Sequence, residues 1–113
     1  MTRLKSFDTT AFERNALQAA DMLRALANER RLMILCKLVE WGEANVGRLA
    51  EAVGLSQSAL SQHLAKMREE GIVAFRRDAQ TVWYRIADAR TEELLATLHR
   101  LFCRPANKSK KGA

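Results

Sequence analysis

Two thiols, a run of serine and glutamine, and an arginine pair are the residues of this chain with chemistry to offer. Cys36 and Cys103 are its only cysteines, and they lack the Cys-x-x-Cys spacing of a redox enzyme or a zinc knuckle. Taken alone, each thiol has an ordinary reading: Cys36 as an inert buried residue in an apolar helix stripe, Cys103 as an incidental residue at a fraying helix end. There is no Gly-rich phosphate loop, and His, Asp and Ser do not gather into a nucleophilic constellation. The expectation is a protein that is not an enzyme, with no catalytic residues, no metal ligands and no cofactor.

The polar run has a clearer use. Between Ser56 and Glu70, Leu60, Leu64 and Met67 recur at helical spacing and form one buried stripe. That leaves Ser56, Gln57, Ser58, Ser61, Gln62 and Lys66 largely outward, with His63 beside them. Glutamine can pair bidentately with adenine, serine can reach a base edge or a phosphate, and free N–H groups at a helix start favour phosphate. A face of short polar residues is also what any solvated helix presents, so its neighbours in the chain have to decide between the two.

Those neighbours are legible. Thr9 or Thr10 can cap a first helix in which Phe12, Ala16, Ala19, Leu23 and Leu26 share a stripe. Asn28 can cap a second helix that runs to Glu40 and stops at Gly42, with Cys36 on its inward face. Asn45 caps a short helix, Val46 to Val53, ended by Gly54, and Ser56 caps the polar helix, ended by Gly71. Two helices so closely joined form a helix-turn-helix signal. The period then becomes alternating, through Val73 and Phe75 and again through Val82, Tyr84 and Ile86, which is a hairpin. Its connection, Arg76 to Gln80, has no Asn-Gly pair, so a longer, mobile loop is expected, with Arg76 and Arg77 near its tip. Asp88 can cap a last helix carrying Leu94, Leu95, Leu98, Leu101 and Phe102.

The resulting order, four helices, two strands and a helix, is mainly α, an α+β winged helix-turn-helix. Residues 1–8 are expected to be a flexible N-terminus, 9–104 the winged helix-turn-helix DNA-binding domain, and 105–113 a basic disordered tail. The formal net charge of +6 suggests a polyanion such as DNA, but five of those charges (Arg100, Arg104, Lys108, Lys110 and Lys111) follow Leu98. DNA binding therefore rests on pattern more than on charge. No apolar run approaches the roughly 20 residues of a membrane span. The first residues carry no apolar block of a secretory signal, so a cytoplasmic protein without a membrane partner is expected.

Over residues 16–103 the chain resembles the ArsR/SmtB-type winged-helix transcriptional repressors. Ala25-Leu26-Ala27-Asn28-Glu29-Arg30-Arg31-Leu32 is similar to that family's entry into its second helix, and Leu55 to Leu64 to its recognition helix. The resemblance implies double-stranded DNA as partner, a pseudo-palindromic operator, and a homodimer formed by the first and last helices. It also implies an inducer, often a metal. The metal pattern fits poorly: Val46 to Val53 holds no cysteine or histidine, Asp88 is followed by Arg90 where the zinc type has His, and His99 by Phe102.

Arg31 to Cys36, Asp78 to Tyr84 and Leu98 to Cys103 are instead similar to the HlyU- and BigR-like thiol-sensing branch. That likeness implies that Cys36 and Cys103 are redox-sensing residues, joined by a disulfide or polysulfide bridge when an oxidant or a reactive sulfur species arrives. The alternatives are a metal- or metalloid-responsive repressor, and a winged helix used for protein contact with no thiol switch.

Overall fold

Side-chain caps set where the helices begin. In the computed structural model, which describes residues 8–103, α1 spans Thr9–Leu26, α2 Glu29–Trp41, α3 Val46–Val53, α4 Gln57–Glu69 and α5 Ala89–Phe102. Asn28, Asn45 and Ser56 accept from the backbone N–H of Arg31, Arg48 and Ala59 at 3.1, 2.8 and 3.0 Å, and Asp88 caps α5. The cap of α1 is Asp8, which accepts from Thr10 N–H at 2.9 Å. It replaces the expected Thr9 or Thr10, because a carboxylate one residue earlier meets the same free donors. The expected flexible N-terminus, apart from Asp8, and the expected basic tail lie outside the described residues.

Gly42, Gly54 and Gly71 close α2, α3 and the turn after α4 with φ of 84°, 71° and 78°. Only glycine takes such angles without strain. The helix-turn-helix is α3 and α4, joined through Gly54, Leu55 and Ser56.

The wing is tighter than the sequence suggests. Strands β2 (Val73–Asp78) and β3 (Thr81–Ile86) pair antiparallel from Val73↔Ile86 to Asp78↔Thr81, leaving only Ala79 and Gln80 as the turn. The longer mobile loop expected at Arg76 to Gln80 is therefore corrected. Ala79 supplies the left-handed conformation itself, at φ 58°, so no Asn-Gly pair is needed. A third strand, β1 (Ala44–Asn45), pairs with β3 through Ala44↔Tyr84 and Asn45↔Trp83, giving the order β1-β3-β2.

One core ties these elements together. Ile34, Leu35 and Leu38 of α2 meet Leu49 of α3, Leu60, Leu64 and Met67 of α4, Val73 and Leu95, all buried. Each such side chain contributes roughly 1.5–3 kcal/mol of apolar burial. In contrast, α1 joins this core only through Met22, Ala25 and Leu26. Phe12, Leu17 and Leu23 remain exposed along it, as do Leu101 and Phe102 at the end of α5. Among the described residues no helix is long and apolar enough to cross a membrane.

Candidate nucleic-acid interface and thiol pair

The burial pattern of α4 sets which of its side chains face outward. Because Leu60, Leu64 and Met67 are fully buried, the opposite side of the helix faces out, and Ser56, Gln57, Ser58, Ser61, Gln62 and Lys66 are all exposed. His63 is half-buried. It lines, with Gln62 and Lys66, an open cleft of about 980 Å³ between α4, the end of α1 and the start of α5. The amide of Gln57 sits beside Gly47 of α3, 3.8 Å from where a Cβ at that glycine would lie. The seven polar residues of the helix read from sequence are thus brought onto one element.

The arginine pair of the wing is split in role by strand alternation. Arg76 shares a face with Ala74 and meets Glu43 through two hydrogen bonds, Nε to Oε2 and Nη2 to Oε1, each 2.8 Å. A further carboxylate, Asp78, lies 3.8 Å from it. Its guanidinium also sits 5.9 Å from the Trp83 ring centre. The same hydrogen bond holds the Glu43 carboxyl below its usual range and pushes Arg76 up. Arg77 points to the other face, 5.4 Å from the centre of the Phe75 ring. Arg68 of α4 lies 4.7 Å from that same ring. Neither Arg68 nor Arg77 makes an ion pair among the described residues, so the seam between α4 and the wing carries two unneutralised guanidinium groups on one aromatic.

Arg68 is absent from the sequence-based set. It lies at the side of α4, between the buried stripe and the outer face, and only the packing of α4 on β2 brings it to Phe75. The available signal was Phe75 and Arg77 two residues apart on one strand, which puts an aromatic and a cation on the same face.

The two thiols sit at the junction of α2 and α5. Cys36 is half-buried against the core, whereas Cys103 is exposed at the C-cap of α5, donating its N–H to His99 O at 2.7 Å. Both are free. Burial pushes the Cys36 thiol above its ordinary value; the charge of nearby Cys103 raises it further, and Lys37 partly offsets both. The helices thus bring two residues far apart in sequence within electrostatic reach of each other. Among the described residues no group of three or more His, Cys, Asp or Glu is gathered as a metal ion would require.

The chain is similar in sequence and in fold to known proteins. Residues 28–74 match the family model described as bacterial regulatory protein, arsR family. The chain is 48% identical over 91 residues to the transcriptional activator HlyU of Vibrio cholerae, covering 80% of this chain and 83% of that protein. The solved structure of reduced HlyU from Vibrio cholerae superposes with a TM-score of 0.76 at 47% identity, over 83% of this chain and 98% of that one. The transcriptional repressor BigR from Xylella fastidiosa gives a TM-score of 0.80 at 38% identity, over 86% and 98%.

Proposed function

The chain belongs to the arsR family of bacterial regulatory proteins, DNA-binding transcriptional regulators that are not enzymes; from that premise we propose a cytoplasmic homodimer that grips a pseudo-palindromic operator and is switched by bridging Cys36 to Cys103. The observation that carries the reading is an imbalance of burial. On α4 the apolar side is wholly covered and the polar side open, while Leu17 on α1 is 72% exposed and Phe102 on α5 is 80% exposed. Exposed apolar residues gathered on the first and last helices favour cover by a second copy. Such a pair carries two α4 faces, and a two-fold related pair fits half-sites one helical turn apart, about 34–36 Å.

In this reading, Ser56, Gln57, Ser58, Ser61 and Gln62 meet the major groove, while His63, Lys66, Arg76 and Arg77 reach the backbone. The arginines differ in readiness, since Arg76 already has a carboxylate and Arg77 has none among the described residues.

The placement of the two thiols supports such a switch. Exposed Cys103 meets the reagent first and half-buried Cys36, held protonated by its surroundings, closes the bridge. With a peroxide, two thiols give up two protons and two electrons to form a disulfide, and the peroxide leaves as two waters. With an inorganic polysulfane, the two thiols displace its terminal sulfurs as two hydrogen sulfides, and the inner sulfur atoms stay between Cys36 and Cys103. Either bridge ties α5 to α2 and alters the relation between the dimer helices and α4.

The test is to treat the reduced, DNA-bound protein separately with peroxide and with polysulfide, following release by fluorescence anisotropy and the bridge by intact mass. Release with loss of two hydrogens, or with added sulfur between the two cysteines, supports the switch. Cys36→Ser or Cys103→Ser should bind DNA when reduced and no longer release it. A variant that still releases removes the thiol switch while leaving DNA binding untouched.

A further inference from the structure

One guanidinium joins three helices at the point where α1 leaves the rest of the fold. The Arg31 side chain is 11% exposed. Its Nη1 donates to the Ala25 carbonyl at 2.8 Å and to Oε1 of Glu70 at 3.1 Å. Ala25 lies in the last turn of α1, Arg31 in the first turn of α2, and Glu70 is the C-cap of α4.

Each contact satisfies a group that the helices leave in need. The last carbonyls of a helix have no partner within it. In α1 those of Arg24 and Leu26 are met by the N–H groups of Ala27 and Asn28, and that of Ala25 by Arg31. Glu70 places a negative charge at the C-terminal end of α4, where the helix dipole disfavours it, and Arg31 compensates that charge. The apolar packing of α1 on the core is made by Met22, Ala25 and Leu26.

We propose that Arg31 is a positioning residue that sets the angle between the dimer helix α1 and the recognition helix α4, and through it the half-site separation the dimer accepts. The inference rests on the dimeric DNA-binding reading given above. Its leverage is geometric. With 18 residues, α1 is about 27 Å long. A tilt of about 10° at its anchored end moves the far end by about 5 Å, more than the roughly 3.4 Å between successive base pairs. A change too small to unfold the chain is therefore large enough to change register on DNA.

The experiment uses the full chain and a duplex that the wild-type protein selects from a random pool, remade with one base pair added or removed between its half-sites. Wild type should prefer its selected separation by about tenfold or more. In Arg31→Lys and Glu70→Gln that ratio should fall by at least about threefold, while dimerisation and affinity for non-specific DNA stay unchanged. If Arg31→Lys fails to fold, Glu70→Gln carries the test, since it keeps an acceptor and removes only charge. Folded variants that retain the wild-type ratio overturn the role of Arg31. A wild type that is indifferent to separation instead overturns the dimeric operator reading itself.

Discussion

Arg76 is locked to Glu43 by two hydrogen bonds of 2.8 Å, although Glu43 precedes β1 and Arg76 stands on β2. The wing is thereby fastened to the loop after α2, and the charge of Arg76 is largely answered within the protein. Its neighbour Arg77, on the opposite face, keeps its charge available beside Phe75 and Arg68.

This asymmetry has a salt signature. Arg77→Ala and Arg68→Ala should each weaken binding across all sequences and reduce the slope of log affinity against log salt by about 1. Arg76→Ala should change that slope less. Because Glu43 is held below its usual range, the Glu43–Arg76 pair should persist at pH values just under the ordinary carboxylate pKa and part only as pH falls through the lowered value. Anisotropy titrations at several salt concentrations check the first point, and the proton resonances of Arg76 across an acid titration check the second.

Base reading should reside in the glutamines. Gln62→Ala or Gln57→Ala should cost about 1–3 kcal/mol at the base each one reads and relax preference at that position, leaving non-specific affinity nearly unchanged. Competition binding against single-position operator variants checks this. Loss spread evenly over every sequence would assign these residues to the backbone.

Cys36 should alkylate more slowly than Cys103 near neutral pH. Its raised pKa keeps it as thiol, so its reaction with iodoacetamide should climb only as pH passes above the ordinary thiol range. In Cys103→Ser one of the two upward influences is gone, and the Cys36 profile should move partway down in pH. Mass-resolved alkylation rates between neutral and alkaline pH report both effects.

Thr91 is fully buried in the first turn of α5, and its hydroxyl finds no hydrogen-bond partner among the described residues. An unmatched buried hydroxyl costs roughly 1–3 kcal/mol. Thr91→Val, of the same shape, should be neutral or stabilising in thermal unfolding of the reduced protein, with DNA affinity retained. A large loss of stability would mean that the hydroxyl is hydrogen-bonded after all.

Most of the architecture is legible in the chain because local signals agree with it. Asn28, Asn45 and Ser56 cap the helices they precede, and the Leu60, Leu64, Met67 stripe fixes which side of α4 stays open. What escaped detection depends on contact rather than period. A strand of two residues, Ala44 and Asn45, is too short to show alternation. The turn at Ala79 uses a left-handed alanine that composition does not announce. Arg68 gains its place only because α4 packs on β2, and the Arg31–Glu70 pair joins residues from opposite ends of the helical half. Cys36 and Cys103 were found by resemblance; their proximity is a property of how α5 returns to α2.

The central claim is that two copies of this chain, held through α1 and α5, present two α4 faces to one duplex. Sedimentation velocity of the reduced protein alone and with a selected operator duplex tests it most directly. A dimer in the free protein and two chains per duplex are the expected result, with Leu17→Glu and Phe102→Glu shifting both toward the monomer. A strictly monomeric chain that binds the operator one copy at a time with undiminished affinity would contradict it.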